Sequence, residues 1–279
     1  MATSVSYRRA IVELAAELGC EPEERAVFEY RVARTPGEYA SALLRAAGTE
    51  LLLLDDGFPA PGEGFGWQAM GELAGCRSRP VLRIETRSRP EVDVGSARTH
   101  GFAALKTIAA YRGGLQLAED HRLWRVLEAN EETGDPLPVQ VHCGFGDRDL
   151  LLPLADPGWL KPVIERFADT PFVLLHCYPF VREAGWLAHV YANVWFDLSL
   201  TIPYVSRGSE MLRQALELAP VSKLLYASDA ALAPELYFLG AKRWRDALAE
   251  VLPDVLPPGL AVEAGRAILR ENALGLYRL

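Results

Sequence analysis

Along the whole chain, short apolar runs alternate with longer segments of helical period. The strand-like runs are Glu50–Asp55 (ELLLLD), Pro80–Glu85 (PVLRIE), Phe102–Ile108 (FAALKTI), Val139–His142 (VQVH), Phe172–His176 (FVLLH), Val194–Leu198 (VWFDL) and Lys223–Ser228 (KLLYAS). They are nearly continuous in apolar character, the pattern of parallel strands buried on both faces. Helical patterns cover Ser6–Leu18, Pro36–Ala47, Leu117–Glu132, Pro157–Phe167, Arg182–Val190, Ser209–Leu218, Ala241–Val251 and Val262–Leu276. Asp156 stands where a cap belongs, with Pro157 at the first helical position. Repeated βα units predict an α/β fold with helices outside a parallel sheet. Eight strands would close such a sheet into a barrel, and the pattern supplies seven. The vacancy falls ahead of Glu50, where two helical segments stand without a strand. The stretch GFPAPGEGFG (Gly57–Gly66) predicts a long irregular loop, either a lid or a surface excursion.

Composition narrows the function classes. The 279 residues include 29 Lys and Arg against 37 Asp and Glu, a formal charge of −8. That acidity disfavours a nucleic-acid or anionic-membrane partner. No apolar run approaches the ~20 residues that cross a bilayer. Glu13 and Glu17 interrupt the apolar stretch after Arg8 and Arg9, so no secretory leader is expected. Four cysteines (Cys20, Cys76, Cys143, Cys177) without a CxxC pair predict free thiols in a reducing cytoplasm rather than a cysteine metal cluster. A small-molecule substrate and, by default, a homodimer are the expected partners.

Candidate chemistry lies where polar residues interrupt the apolar strands. His142 ends VQVH, His176 ends FVLLH and Asp229 follows KLLYAS, each at the C-terminal end of its strand, where α/β barrels place their ligands. Strand alternation puts Gln140 on the face of His142, Phe172 and Leu174 on that of His176, and Leu225 and Ala227 on that of Asp229. Two imidazoles and a carboxylate in one place are the donor set for zinc, manganese or iron. Lys106, in an apolar strand, needs a partner or a modification, or with Arg112 forms a pocket for a substrate carboxylate. Asp147, Arg148 and Asp149 follow His142 and are candidates for substrate contact or simply for a solvated loop. Asp55, Asp56 and Asp197 are secondary candidates. Cys143 and Cys177 follow the two histidines, but alternation turns them toward the helices, where a thiol is a small apolar group rather than a nucleophile.

The segments LKTIAAYRGGL, VHCGFGDRDL, LLHCYPFVREAGWLA, VWFDLSL and LLYASDA with PELYFLGAK resemble the metal-dependent amidohydrolase superfamily. The closer likeness is to the amidohydrolase-type domain of nodulin-like proteins fused to glutamine synthetase, and it runs from about Tyr7 onward. The resemblance implies a TIM-type (β/α)8 barrel, here incomplete at strand 1, forming a single domain over residues 1–279. It implies that Lys106 is the strand 4 ligand, carbamylated in some members, that His142 and His176 are the ligands of strands 5 and 6, and that Asp229 is the strand 8 ligand and proton-transfer carboxylate. It also implies a His-x-His on a strand ahead of SYRRAIVELAAELGC, and the sequence holds no His-x-His. Either the recorded start lies downstream of the true one or the chain is a shortened paralogue. The expected activity is hydrolysis of an amide or related C–N bond by a metal-activated water, with zinc or manganese bound. A non-catalytic interaction barrel and a metal-assisted decarboxylase are the alternatives.

Overall fold

The computed structural model describes residues 3–58 and 63–279. Three helices come first: α1 (Val5–Leu18), α2 (Glu24–Val32) and α3 (Pro36–Ala46). Local chemistry sets their ends. The Ser4 side chain accepts from the Tyr7 amide, and Gly19 closes α1 in the left-handed conformation that glycine adopts without strain. Thr35 and Glu38 form a reciprocal capping box on α3, with Pro36 at its first position.

Seven parallel strands follow: β1 (Leu51–Asp55), β2 (Arg77–Arg83), β3 (Ala104–Thr107), β4 (Val139–Cys143), β5 (Phe172–His176), β6 (Val194–Asp197) and β7 (Leu224–Leu225). Each pairs with its sequence neighbour in one continuous curled sheet. Between them run α4 (Trp67–Ala74), α5 (Pro90–Ala97), α6 (Arg122–Glu132), α7 (Lys161–Arg166), α8 (Val181–Val190), α9 (Thr201–Tyr204) and α10 (Gly208–Leu216); α11 (Pro234–Val255), α12 (Pro258–Arg266) and α13 (Asn272–Tyr277) complete the chain. The architecture is a TIM-type barrel left incomplete, because β1 and β7 do not pair with each other.

The sheet has two apolar faces. Outward, Leu105, Val139, Phe172, Leu174 and Phe196 join the helices in the main core. Inward, Val81, Ala104, Val173, Leu175 and Leu225 close around Tyr277 of α13, which plugs the barrel interior and accepts a 3.0 Å hydrogen bond from Gln140.

Several expectations need correction. Phe172 and Leu174 do not share a face with His176: they point to the helices, while Val173 and Leu175 point inward. His176 reaches the interior because its backbone leaves strand geometry, with φ 68°. β2 begins at Arg77 rather than Pro80 and ends before Glu85, which lies in a 3-10 turn. β7 keeps only two residues of Lys223–Ser228, and α6 starts at Arg122, not Leu117. Pro157–Phe167 is a 3-10 turn followed by α7, although Asp156 does accept from the Gly158 amide at its start. Val262–Leu276 is broken by a π segment at Ala267–Glu271. Helices α2, α4, α5 and α9 were not expected. Of the Gly57–Gly66 stretch, residues 59–62 lie outside the described residues, and the flanking parts are irregular.

Candidate active site at the strand ends

The C-terminal ends of β1, β3, β4, β5 and the segment after β7 bring Asp55, Lys106, His142, His176 and Asp229 to one cavity. The His142 and His176 rings lie 4.5 Å apart between centroids, inclined at 61°. Asp229 Oδ2 is 3.9 Å from His176 Nε2, and Asp229 Oδ1 is 3.8 Å from Lys106 Nζ. Lys106 Nζ lies 3.2 Å from Asp55 Oδ2, and Asp55 is in turn gripped by the Arg83 guanidinium. His176 and Asp229 are non-glycine residues in the left-handed region, φ 68° and 48°. Such positions cost about 1–3 kcal/mol each and persist where their surroundings enforce them.

Buried polar groups orient His176. Its Nδ1 is 2.5 Å from Ser199 Oγ, and the Ser199 hydroxyl donates to Asp197 Oδ1 at 2.7 Å. With that hydroxyl hydrogen committed to Asp197, Ser199 Oγ accepts from Nδ1–H, and the lone pair of His176 is left on Nε2. Asp197 also accepts from the His176 and Ser199 amides. Burial outweighs these bonds and raises its carboxyl to about 6.

Both site imidazoles are neutral. Burial, then the neighbouring His176 and Lys106, pushes His142 down to about 2, and burial with Lys106 drives His176 well below the ordinary imidazole range. Their Nε2 atoms are buried and have no hydrogen-bond partner. An orphaned buried nitrogen is costly unless it has a ligand. Asp229 is raised by burial, partly offset by Lys106 and His142. Burial also acts on Asp55, but Lys106 and Arg83 outweigh it and lower its carboxyl.

Tyr111 leans on His142 with ring centroids 4.7 Å apart, and its hydroxyl accepts from the Asp147 amide at 3.0 Å. Gly146 is required here, because a Cβ would meet Tyr111 Oη at 1.8 Å and His142 Nε2 at 3.0 Å.

Arg112, Asp147 and Asp149 line the cavity mouth; Arg148 is exposed and does not. Cys143 and Cys177 are buried among the helices, with thiols pushed up by that burial. Arg83, Tyr111 and Ser199 were not anticipated. Arg83 carried a signal, being a charge in an apolar run two places before a predicted strand end. Tyr111, in a 3-10 turn, and Ser199, in a turn after β6, carried none.

Two buried imidazoles with unpartnered Nε2 atoms and a nearby carboxylate are suitable donors for a first-row divalent ion. The fit is in kind rather than in enclosure: among the described residues, no three His, Cys, Asp or Glu side chains are arranged to hold an ion. An unmodified Lys106 cannot add a ligand, because an ammonium has no lone pair.

Comparison with known proteins places this chain in a family. Residues 94–279 match the amidohydrolase family, and the chain belongs to it. Over 162 residues it is 39% identical to the protein fluG of Emericella nidulans, an alignment covering 55% of this chain and 19% of that protein. The chain thus spans about a fifth of the fungal relative. A solved structure from Lactobacillus casei, assigned provisionally as a metal-dependent hydrolase, superposes with TM-score 0.85 at 28% identity, covering 99% of this chain and 85% of the other. An uncharacterized TIM-barrel protein from Bordetella bronchiseptica superposes with TM-score 0.61 at 18% identity, covering 97% and 90%, and supports the fold alone. No helix of the described residues is long and apolar enough to cross a membrane.

Proposed function

We propose that this chain is a metal-dependent hydrolase of an amide or related C–N bond in a small molecule. The observation that carries this reading is the pair of buried, unpartnered Nε2 atoms of His142 and His176, converging beside Asp229. His142 and His176 would hold a zinc or manganese ion, with Asp229 as a third ligand. Lys106 would join them only as a carbamate. When bound, such an ion supplies Lewis acidity and makes a water molecule acidic near neutral pH.

The chain's own residues supply the rest. Ser199 and Asp197 hold the His176 lone pair toward the site. Asp229, with its carboxyl raised, takes a proton from the attacking water and returns it to the leaving nitrogen. Arg112 and Asp147, which line the same cavity, are the candidates for substrate contact, Arg112 for a substrate carboxylate.

A non-catalytic binding barrel is the second reading. It is favoured by the incomplete enclosure and by the pairing of Lys106 with Asp55 and Asp229. Elemental analysis of the purified chain, with hydrolysis assays on a panel of N-acylated small molecules, separates the two. The hydrolase reading expects near-stoichiometric zinc or manganese and turnover lost in His142→Ala. Undiminished hydrolysis by metal-free protein would overturn it, and a folded chain with neither metal uptake nor hydrolysis would favour the binding barrel.

A further inference from the structure

The gap between β1 and β7 is the largest feature the hydrolase reading leaves unused. It forms part of a groove of about 1610 Å³ that runs from the strand-end site along the full length of β1. Every residue of β1 lines it, and all five are only half-buried although four are leucines. The Asp56 amide donates to Val81, and the Glu50 carbonyl accepts from Arg77, both on β2. By alternation the backbone groups of Leu51, Leu53 and Asp55 point the other way, into the groove. Across the gap, the edge of β7 is already covered: the Tyr226 amide donates to the Ile268 carbonyl, and Asn272 donates to that of Leu224. Among the described residues, the free edge therefore belongs to β1 alone.

The helix layer has no matching gap. α3 packs between α11, which follows β7, and α4, which follows β1. Its Ala40 and Leu44, with Ala47 just beyond its end, face the groove where other helices of the ring face strands. A roofed slot with one free strand edge demands a backbone partner. A lipid-like chain would leave the β1 amides and carbonyls buried without bonds, at real cost. The slot is also charged by end. Beside the start of β1, Arg245, Arg266 and Arg270 outnumber the two carboxylates they meet, Glu50 on Arg270 and Glu271 on Arg266. At the mouth, carboxylates including Asp56, Glu63 and Asp229 outnumber Arg83, Lys106 and Arg112.

We propose that this slot binds an extended polypeptide segment as an added strand on β1, parallel to it, apolar at alternate positions, acidic at its start and basic at its end. A segment of about six residues matches the groove at ~3.3 Å per residue. This is recognition by strand addition, in which backbone bonds supply affinity and alternate side chains supply selectivity.

The test uses the whole chain and a capped synthetic peptide of alternating valine and threonine with a leading glutamate and a closing lysine. Binding is read by amide hydrogen exchange and by the thermal midpoint. The expected result is exchange at Leu51 and Leu53 slowed about tenfold or more, with a midpoint that rises with peptide concentration. The same peptide N-methylated at alternate positions should do neither, exchanging its terminal charges should weaken binding, and Ala40→Trp, which fills the slot from α3, should abolish it in a chain that still folds by circular dichroism. Equal binding of the N-methylated peptide would overturn strand addition in favour of a merely apolar groove. Protection of Leu51 and Leu53 without peptide, in a chain that sediments as a dimer, would assign the slot to a second copy and overturn it as well. No protection with saturating peptide would also overturn it.

Discussion

The wall formed by β4, β5 and β6 and the seam at β1 are built from equally apolar sequence and end in different states. In the wall, Phe172, Leu174 and Phe196 are fully buried, and every strand has two partners. At the seam, Leu51–Leu54 is as apolar as any strand in the chain yet is half-buried with one free edge. The site straddles the two. His142 and His176 come from the wall, His176 held by a buried hydrogen bond to Ser199 and His142 by packing against Tyr111 and His176, whereas Asp55 and Lys106 are held chiefly by charges that answer one another. Hydrophobic character alone therefore does not fix burial; the number of neighbouring strands does.

That contrast is broken or sharpened first by truncation. Phe196→Ala should cost about 3–5 kcal/mol, the usual price of emptying a well-packed aromatic site. Leu51→Ala should cost about 1 kcal/mol or less, because its side chain already meets solvent. Urea unfolding at pH 7 measures both. Equal losses would mean that the seam is as tightly packed as the wall.

Much of this was legible in the sequence, and the exceptions share a cause. Seven strands in order and the residues at their ends follow from apolar runs and from where polar residues break them. The face of His176 was not legible, because alternation assumes extended backbone and this residue turns to positive φ just as its strand ends. The partners of Lys106 were not legible either. Asp55 lies 51 positions earlier, and only the curl of the sheet carries both to one side of the barrel. Helices α2 and α5 were missed because they are short and carry weak apolar stripes, so tertiary packing rather than local pattern stabilises them, and α4 because its eight residues directly follow the Gly- and Pro-rich stretch.

The next largest effect is expected at the polar end of the seam. Asp55→Asn removes the carboxylate shared by Lys106 and Arg83, leaving two shielded cations with weakened pairing. A loss of about 3 kcal/mol is expected, by analogy with the breaking of largely buried ion pairs. Double-mutant unfolding with Arg83→Met checks this, since the second change should restore part of the loss. Ser199→Ala acts on the wall side and should leave stability closer to wild type. It frees the His176 ring to turn, so zinc affinity, measured by competitive titration, should fall about 10–100-fold. An unchanged affinity would show that packing, not the Ser199–Asp197 relay, sets the ring.

The smallest effect separates the helices that back the two regions by their response to acid. α6, on the wall side, is capped by His121, whose Nδ1 accepts from the Leu123 amide at 3.1 Å. Burial lowers the pKa of this imidazole. Native His121 thus binds a proton less readily than unfolded His121, so its contribution is present above the unfolded value of ~6.5 and is lost as pH falls through the lower folded value. α3, over the seam, is capped by Thr35 and Glu38, and the Thr35 hydrogen bonds lower the Glu38 carboxyl, which keeps it ionised at mildly acidic pH. Lowering the pH from about 7 to about 5 should therefore loosen the first turn of α6 by about 1 kcal/mol, the worth of a cap, and leave α3 unchanged. Residue-resolved hydrogen exchange at the two pH values reads both helices in one sample. His121→Asn should keep the cap while removing its acid sensitivity; if α6 in that variant loosened on acidification as much as wild type, the imidazole would not be the cause.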